Sequence, residues 1–121
     1  MAKHNDLGKA GEKAARQFLR RKGYTIRDYN WISGKKELDI VAETDQYLVI
    51  VEVKSRSTEH FEHPKDAITN TKIRHIVEAA HDYILKYDIE KDVRFDFISA
   101  LPKNGTFEIE HIEDAFLAPV N

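Results

Sequence analysis

The chain has 121 residues, 41% of them apolar, which is one domain's worth of sequence with enough hydrocarbon for a core. No apolar run reaches about 18 residues, the first residues form no apolar secretion signal, and cysteine is absent, so membrane spans, disulfides and thiolate metal sites are excluded and a reducing cytoplasm is expected. The net charge of −2 hides an asymmetry, with 10 Lys/Arg against 3 Asp/Glu in residues 1–36 and 9 against 18 in residues 37–121; a basic first third can face phosphate, although charge alone favours a solvated helix balanced by acidic loops.

A first helix is predicted over residues 6–22, capped by Asn5 or Asp6 and stopped by Gly23. Leu7, Gly11, Ala14, Ala15, Phe18 and Leu19 recur at helical spacing on one side, and Lys9, Lys13, Arg16 and Arg20 on the other. Strands are predicted over 24–31, 37–42 and 47–54, with turns through Ser33–Lys36 and Glu43–Gln46. A polar loop over 55–65 leads to a second helix over 66–87, whose apolar residues are Ile73, Ile76, Val77, Ala80, Ile84 and Leu85. Strands over 93–101 and 106–112, joined through Pro102–Gly105, complete an α-β-β-β-α-β-β order. With no repeat or linker, that order implies a single domain over 1–121, an α/β fold with a mixed sheet flanked by helices.

The third strand carries the chemistry. Tyr47, Val49, Val51 and Val53 alternate with Leu48, Ile50, Glu52 and Lys54, so both faces begin apolar and only one turns ionic at its end. A central strand covered on both sides fits that pattern, and charges that far along it are costly unless paired or metal-bound. A two- or four-residue loop centred on Thr44-Asp45 places Asp39 opposite Ile50 and Glu37 opposite Glu52. Glu37, Asp39, Glu52 and Lys54 then share a face, with Asp39 diagonal to Glu52 at roughly 7 Å. Two carboxylates so placed can converge on Mg²⁺, whereas a three-residue loop would turn Asp39 to the wrong face. The ordinary alternative is a surface cluster in which Lys54 neutralises Glu52 or Glu37. Glu12 lies at the edge of the first helix's apolar stripe, where Gly8 and Gly11 would let the helix approach the sheet and bring Glu12 towards the acids; paired with Arg16, it is equally an ordinary surface residue.

With these residues in that order, the chain resembles the PD-(D/E)xK nucleases of restriction-endonuclease-like fold. Within them it is identified as a member of the YraN-like family of bacterial proteins, which are similar to archaeal Holliday-junction resolvases. The matching pieces are Gly8-x-x-Gly11-Glu12-x-x-Ala15, Gly23-Tyr24-x-Ile26, Asn30, Glu37-Leu38-Asp39-Ile40-Val41-Ala42 and Val51-Glu52-Val53-Lys54-Ser55-Arg56. Pro64-x-x-Ala67, Lys72, Tyr83 and Arg94-Phe95-Asp96 extend the match over nearly the whole chain. Leu38 stands where the motif's proline would, and Lys36 where the family often has glycine.

The resemblance implies that Asp39 and Glu52 hold Mg²⁺ or Mn²⁺, with the Val53 carbonyl and Glu12 as further ligands, and that Lys54 assists hydrolysis of a phosphodiester. DNA, branched DNA included, is the implied partner, and two-fold junctions would suit a homodimer. Lys9, Lys13, Arg16, Arg20, Arg56 and Lys72 are the candidate phosphate contacts. The alternative is a non-catalytic nucleic-acid-binding or adaptor protein that retains the fold. His60-x-x-His63 lacks a second ligand pair for zinc and reads as a loop near DNA. Tyr24, Tyr29 and Trp31, interleaved with Arg27 and Lys35, suit packing better than base stacking, and Asp96 reads as a structural carboxylate.

Overall fold

The computed structural model describes residues 3–56 and 68–116. The elements are α1 (Lys3–Arg21), β1 (Thr25–Ser33), β2 (Lys36–Glu43), β3 (Tyr47–Ser55), α2 (Asn70–Tyr87), β4 (Asp92–Lys103) and β5 (Thr106–Ile112). Their order is the expected one. α1 stops as its sequence requires: Gly23 takes φ 98°, its N–H donates to the Arg20 carbonyl at 3.0 Å, and Tyr24 N–H donates to the Leu19 carbonyl at 3.0 Å. α2 starts at Asn70, where the Thr69 hydroxyl caps the Lys72 N–H at 3.1 Å; the predicted start at Asp66 lies outside the described residues.

The five strands form one sheet in the order β1-β2-β3-β4-β5. β3 is central, antiparallel to β2 and parallel to β4 from Tyr47↔Asp92 to Ser55↔Ala100, with α2 as the crossover. Asn104 (φ 55°) and Gly105 (φ 79°) make the tight turn of the β4–β5 hairpin, an Asn-Gly pair suited to two left-handed positions.

Side chains of β3 alternate between two cores, as expected of a strand covered on both faces. Val49, Val51 and Val53 join Ala15 and Leu19 of α1, while Leu48 and Ile50 join Ile76, Ala79, Ala80 and Tyr83 of α2. Each such side chain contributes roughly 1.5–3 kcal/mol by leaving water. The α2 stripe differs from the expected one. Ala79 and Tyr83 are in the core, whereas Leu85 is exposed, because successive turns bring positions 76, 79, 80 and 83 to the sheet.

The β2–β3 register also differs. Ile40 faces Val51 and Glu43 faces Leu48, so the connection is centred on Asp45-Gln46 rather than Thr44-Asp45. Thr44 N–H donates to the Tyr47 carbonyl at 2.9 Å, and the Thr44 hydroxyl accepts from the N–H groups of Gln46 and Tyr47. The shift of two residues by itself turns no side chain over, and Asp39 moves from a diagonal position to one across from Glu52. Alternation breaks at Asp39, however, because Ile40 packs in the α1-side core and Leu38 in the α2-side core. Glu37 does not face Glu52; it is exposed and pairs across β1 with Ile32.

Candidate metal and nucleic-acid site

The β2–β3 ladder runs from Glu43↔Leu48 to Ile40↔Val51, and the acids begin where it ends. There the Val53 N–H donates to Asp39 Oδ2 at 2.9 Å, taking a side-chain acceptor in place of a cross-strand carbonyl. Asp39 is thereby fixed beside β3, and its carboxyl shares a hydrogen bond with that of Glu52. Glu52 lies on the α2 side of the sheet with only 12% of its side chain exposed.

Burial, then the neighbouring Asp39 charge, pushes the Glu52 carboxyl up to about 8. Asp39 is also raised by burial, against the opposing pull of the Val53 N–H, the Glu52 hydrogen bond and Lys72. Two desolvated carboxyls in contact thus disfavour being charged together, a preference that belongs to the pair.

The cation that reaches Glu52 is Lys72, in the first turn of α2, at 3.5 Å. Lys54, which the surface-cluster alternative paired with Glu52 or Glu37, is exposed. Alternation along β3 supplied Lys54 as a candidate, but only the packing of α2 could bring Lys72 to the strand. Glu12 comes from α1. Burial raises its pKa first, the charges of Asp39 and Glu37 raise it further, and Arg16 and a hydrogen bond from Asn30 oppose them.

The approach of α1 rests on Gly11. A Cβ there would lie 1.9 Å from Ser55 Oγ, 3.1 Å from Ser55 Cβ and 3.4 Å from Ala100 Cβ, while a Cβ on Gly8 would meet nothing within 4 Å. Only one of the two glycines expected to admit the helix does so. Asn30, absent from the expected site, takes φ 50° between the pairs Tyr29↔Ile40 and Trp31↔Leu38, which leaves it across from Asp39. An Asn inside a strand was the available signal, since Asn tolerates the left-handed region.

The candidate phosphate contacts divide. Lys9, Lys13 and Arg16 line a cavity of about 300 Å³ with Glu12, Tyr29 and Asn30, and Arg20 is exposed further along α1. Arg56 lies elsewhere, with Ser99, Leu101 and residues 108–110 of β4 and β5, where burial lowers its pKa and Glu110 opposes the change. His60 and His63 lie outside the described residues.

The donor set suits a hard dication. Among the described residues no three His, Asp or Glu side chains gather closely enough to hold a metal unaided. Asp39 and Glu52 provide a pair of oxygen-donor groups, and Mg²⁺ commonly accepts one or two carboxylates and keeps several waters.

No helix among the described residues is long and apolar enough to cross a membrane. Residues 11–100 match the profile described as Uncharacterised protein family UPF0102. A UPF0102 protein of Phocaeicola vulgatus is 48% identical over 120 residues, covering 99% of each chain. One from Bacteroides fragilis is 52% identical with the same coverage. Another, from Flavobacterium psychrophilum, is 46% identical over 116 residues, 96% of this chain and 98% of the relative.

Proposed function

The chain belongs to the UPF0102, or YraN-like, family, and from that premise we propose that it is a cytoplasmic, metal-dependent DNA endonuclease. The observation that carries this reading is the Asp39–Glu52 pair, buried at the end of the β2–β3 ladder and short of positive charge. Structural carboxylates are normally answered by donors; among the described residues this pair is answered by one backbone N–H and one lysine.

Asp39 and Glu52 would hold Mg²⁺ or Mn²⁺, and the family resemblance adds Glu12 of α1 and the Val53 carbonyl as further ligands. The ion, when bound, would polarise the scissile phosphate and lower the pKa of its water. The protein supplies the rest. The Val53 N–H keeps Asp39 on one rotamer, Lys72 limits the repulsion around Glu52, and Asn30 and Arg16 steady Glu12. Lys54, exposed on the strand that carries Glu52, is free to meet an incoming phosphate as an ammonium and stabilise charge developing on it. Lys9, Lys13, Arg16 and Arg20 on α1 attract the anionic backbone.

The test is cleavage of a labelled four-way DNA junction, a duplex and a single strand in Mg²⁺ or Mn²⁺. Cleavage lost in Asp39→Asn and Lys54→Ala with binding retained supports the nuclease. Binding that depends on Lys13, Arg16 and Arg20, with no cleavage under any condition, supports the adaptor instead.

A further inference from the structure

Of the three aromatics near the start of the sheet, two are absorbed by packing. Trp31 meets the Tyr83 ring at 5.0 Å between centroids, and Tyr24 meets His111 at 5.8 Å. Tyr29 is different. It pairs with Ile40 on the edge strand β1, is 51% exposed, and carries the Arg16 guanidinium 3.9 Å over its ring centroid.

We infer that Tyr29 and Arg16 form a subsite for an unpaired base of a nucleic acid strand, in the cavity that Glu12 also lines. The inference rests on the nucleic-acid reading above and adds to it a substrate class, single-stranded or frayed ends rather than closed duplex. The cavity that holds the two residues is lined otherwise by Lys9, Lys13, Glu12 and Asn30. Its one ring sits among three cations, which selects a ligand that is both flat and anionic; an apolar peptide or a lipid tail would find a single aromatic surface and three charges to desolvate. A nucleotide has both properties: bases stack on tyrosine and on guanidinium planes, and the backbone supplies the phosphate. Glu12 and Asn30 also line the cavity, and the Asp39 charge is felt at Glu12, so a base held there brings its strand to the helix acid that faces the pair. Bases inside a duplex have no face to offer.

The test measures fluorescence anisotropy of a short oligothymidylate and of a closed hairpin duplex at matched salt, without divalent cation. Wild type should favour the single strand. Tyr29→Ala should lower that affinity about tenfold, the worth of one stacked base, and leave the duplex unchanged, while Tyr29→Phe keeps wild-type affinity. Tyr29→Thr, a strand former without a ring, repeats the measurement should the alanine variant unfold. Equal losses on both probes, or no loss on either, would overturn the subsite while leaving the nuclease reading intact. A wild type that binds neither probe would overturn both.

Discussion

Two buried carboxylate clusters sit on adjacent strands of the sheet, and what answers their charge is different. Asp96 on β4 faces Val51 in register and is fully buried. It accepts from Arg94 Nε and Nη2 at 2.9 Å each, from the Asp114 N–H at 3.0 Å, and meets His111 Nε2 at 2.8 Å. Burial works to raise its pKa, and the His111, Arg94 and Asp114 hydrogen bonds outweigh burial and hold it below the ordinary value. Between β2 and β3 the Asp39–Glu52 pair has the opposite balance, and both groups are raised. Burial opposes charge in both places, yet it leaves a structural anion in one and a cation-seeking pair in the other. The contrast separates a carboxylate that builds the fold from carboxylates the fold keeps in reserve.

The largest effect that contrast predicts comes from removing each acid. Asp96→Ala leaves the Arg94 guanidinium, 14% exposed, without its carboxylate, and should cost roughly 3–5 kcal/mol in urea denaturation. Asp39→Asn in metal-free protein should cost less than about 1 kcal/mol, since it removes one of two repelling carboxyls. A cost for Asp39→Asn matching that for Asp96→Ala would erase the distinction.

The pH dependence should run in opposite directions. The depressed pKa of Asp96 gives stability that is complete above the unfolded carboxyl value of about 3.9 and is lost as pH falls through the lower folded value. Glu52 is raised, so the folded state binds the extra proton, and stability of the metal-free protein should decline as pH climbs from the ordinary carboxyl range to about 8. Glu52→Gln should flatten that decline by a few kcal/mol, and Asp96→Asn should flatten the acid limb. Denaturant midpoints across pH read both.

The smallest effects concern how α1 is seated. Gly8→Ala should stabilise by up to about 1 kcal/mol through helix propensity. Gly11→Ala gains the same propensity but crowds Ser55 and Ala100, an overpacking cost of roughly 1–3 kcal/mol, for a net loss near 1 kcal/mol. Thermal melts compare them, and equal shifts would mean that α1 does not depend on close approach to the sheet.

The contrast was partly legible in the sequence. Alternation along β3 exposed its two apolar faces and the ionic end at Glu52, and the parity of the turn placed Asp39 on the same face. The register was two residues off, because Thr44, Asp45 and Gln46 are all turn formers and the sequence does not say which pair is central; a side-chain cap by Thr44 decides it. Asp96 was readable as structural from its place in Arg94-Phe95-Asp96-Phe97, yet its His111 and Asp114 partners arrive only through β5 and the turn after it. Lys72 and Asn30 escaped as partners of the acids for the same reason, since each contact is made between elements far apart in the chain. In sequence Tyr29 looks like its packed neighbours; at an edge strand, only the folded chain separates the ring that is covered from the ring that is not.

The most direct test of the central claim is calorimetric titration of Mn²⁺ into wild type and Asp39→Asn, with and without a four-way DNA junction. Wild type should bind one equivalent with release of the proton held by the Asp39–Glu52 pair, so that affinity rises with pH, and Asp39→Asn should not bind. No binding by wild type in either condition, or binding that Asp39→Asn leaves unchanged, would contradict the account.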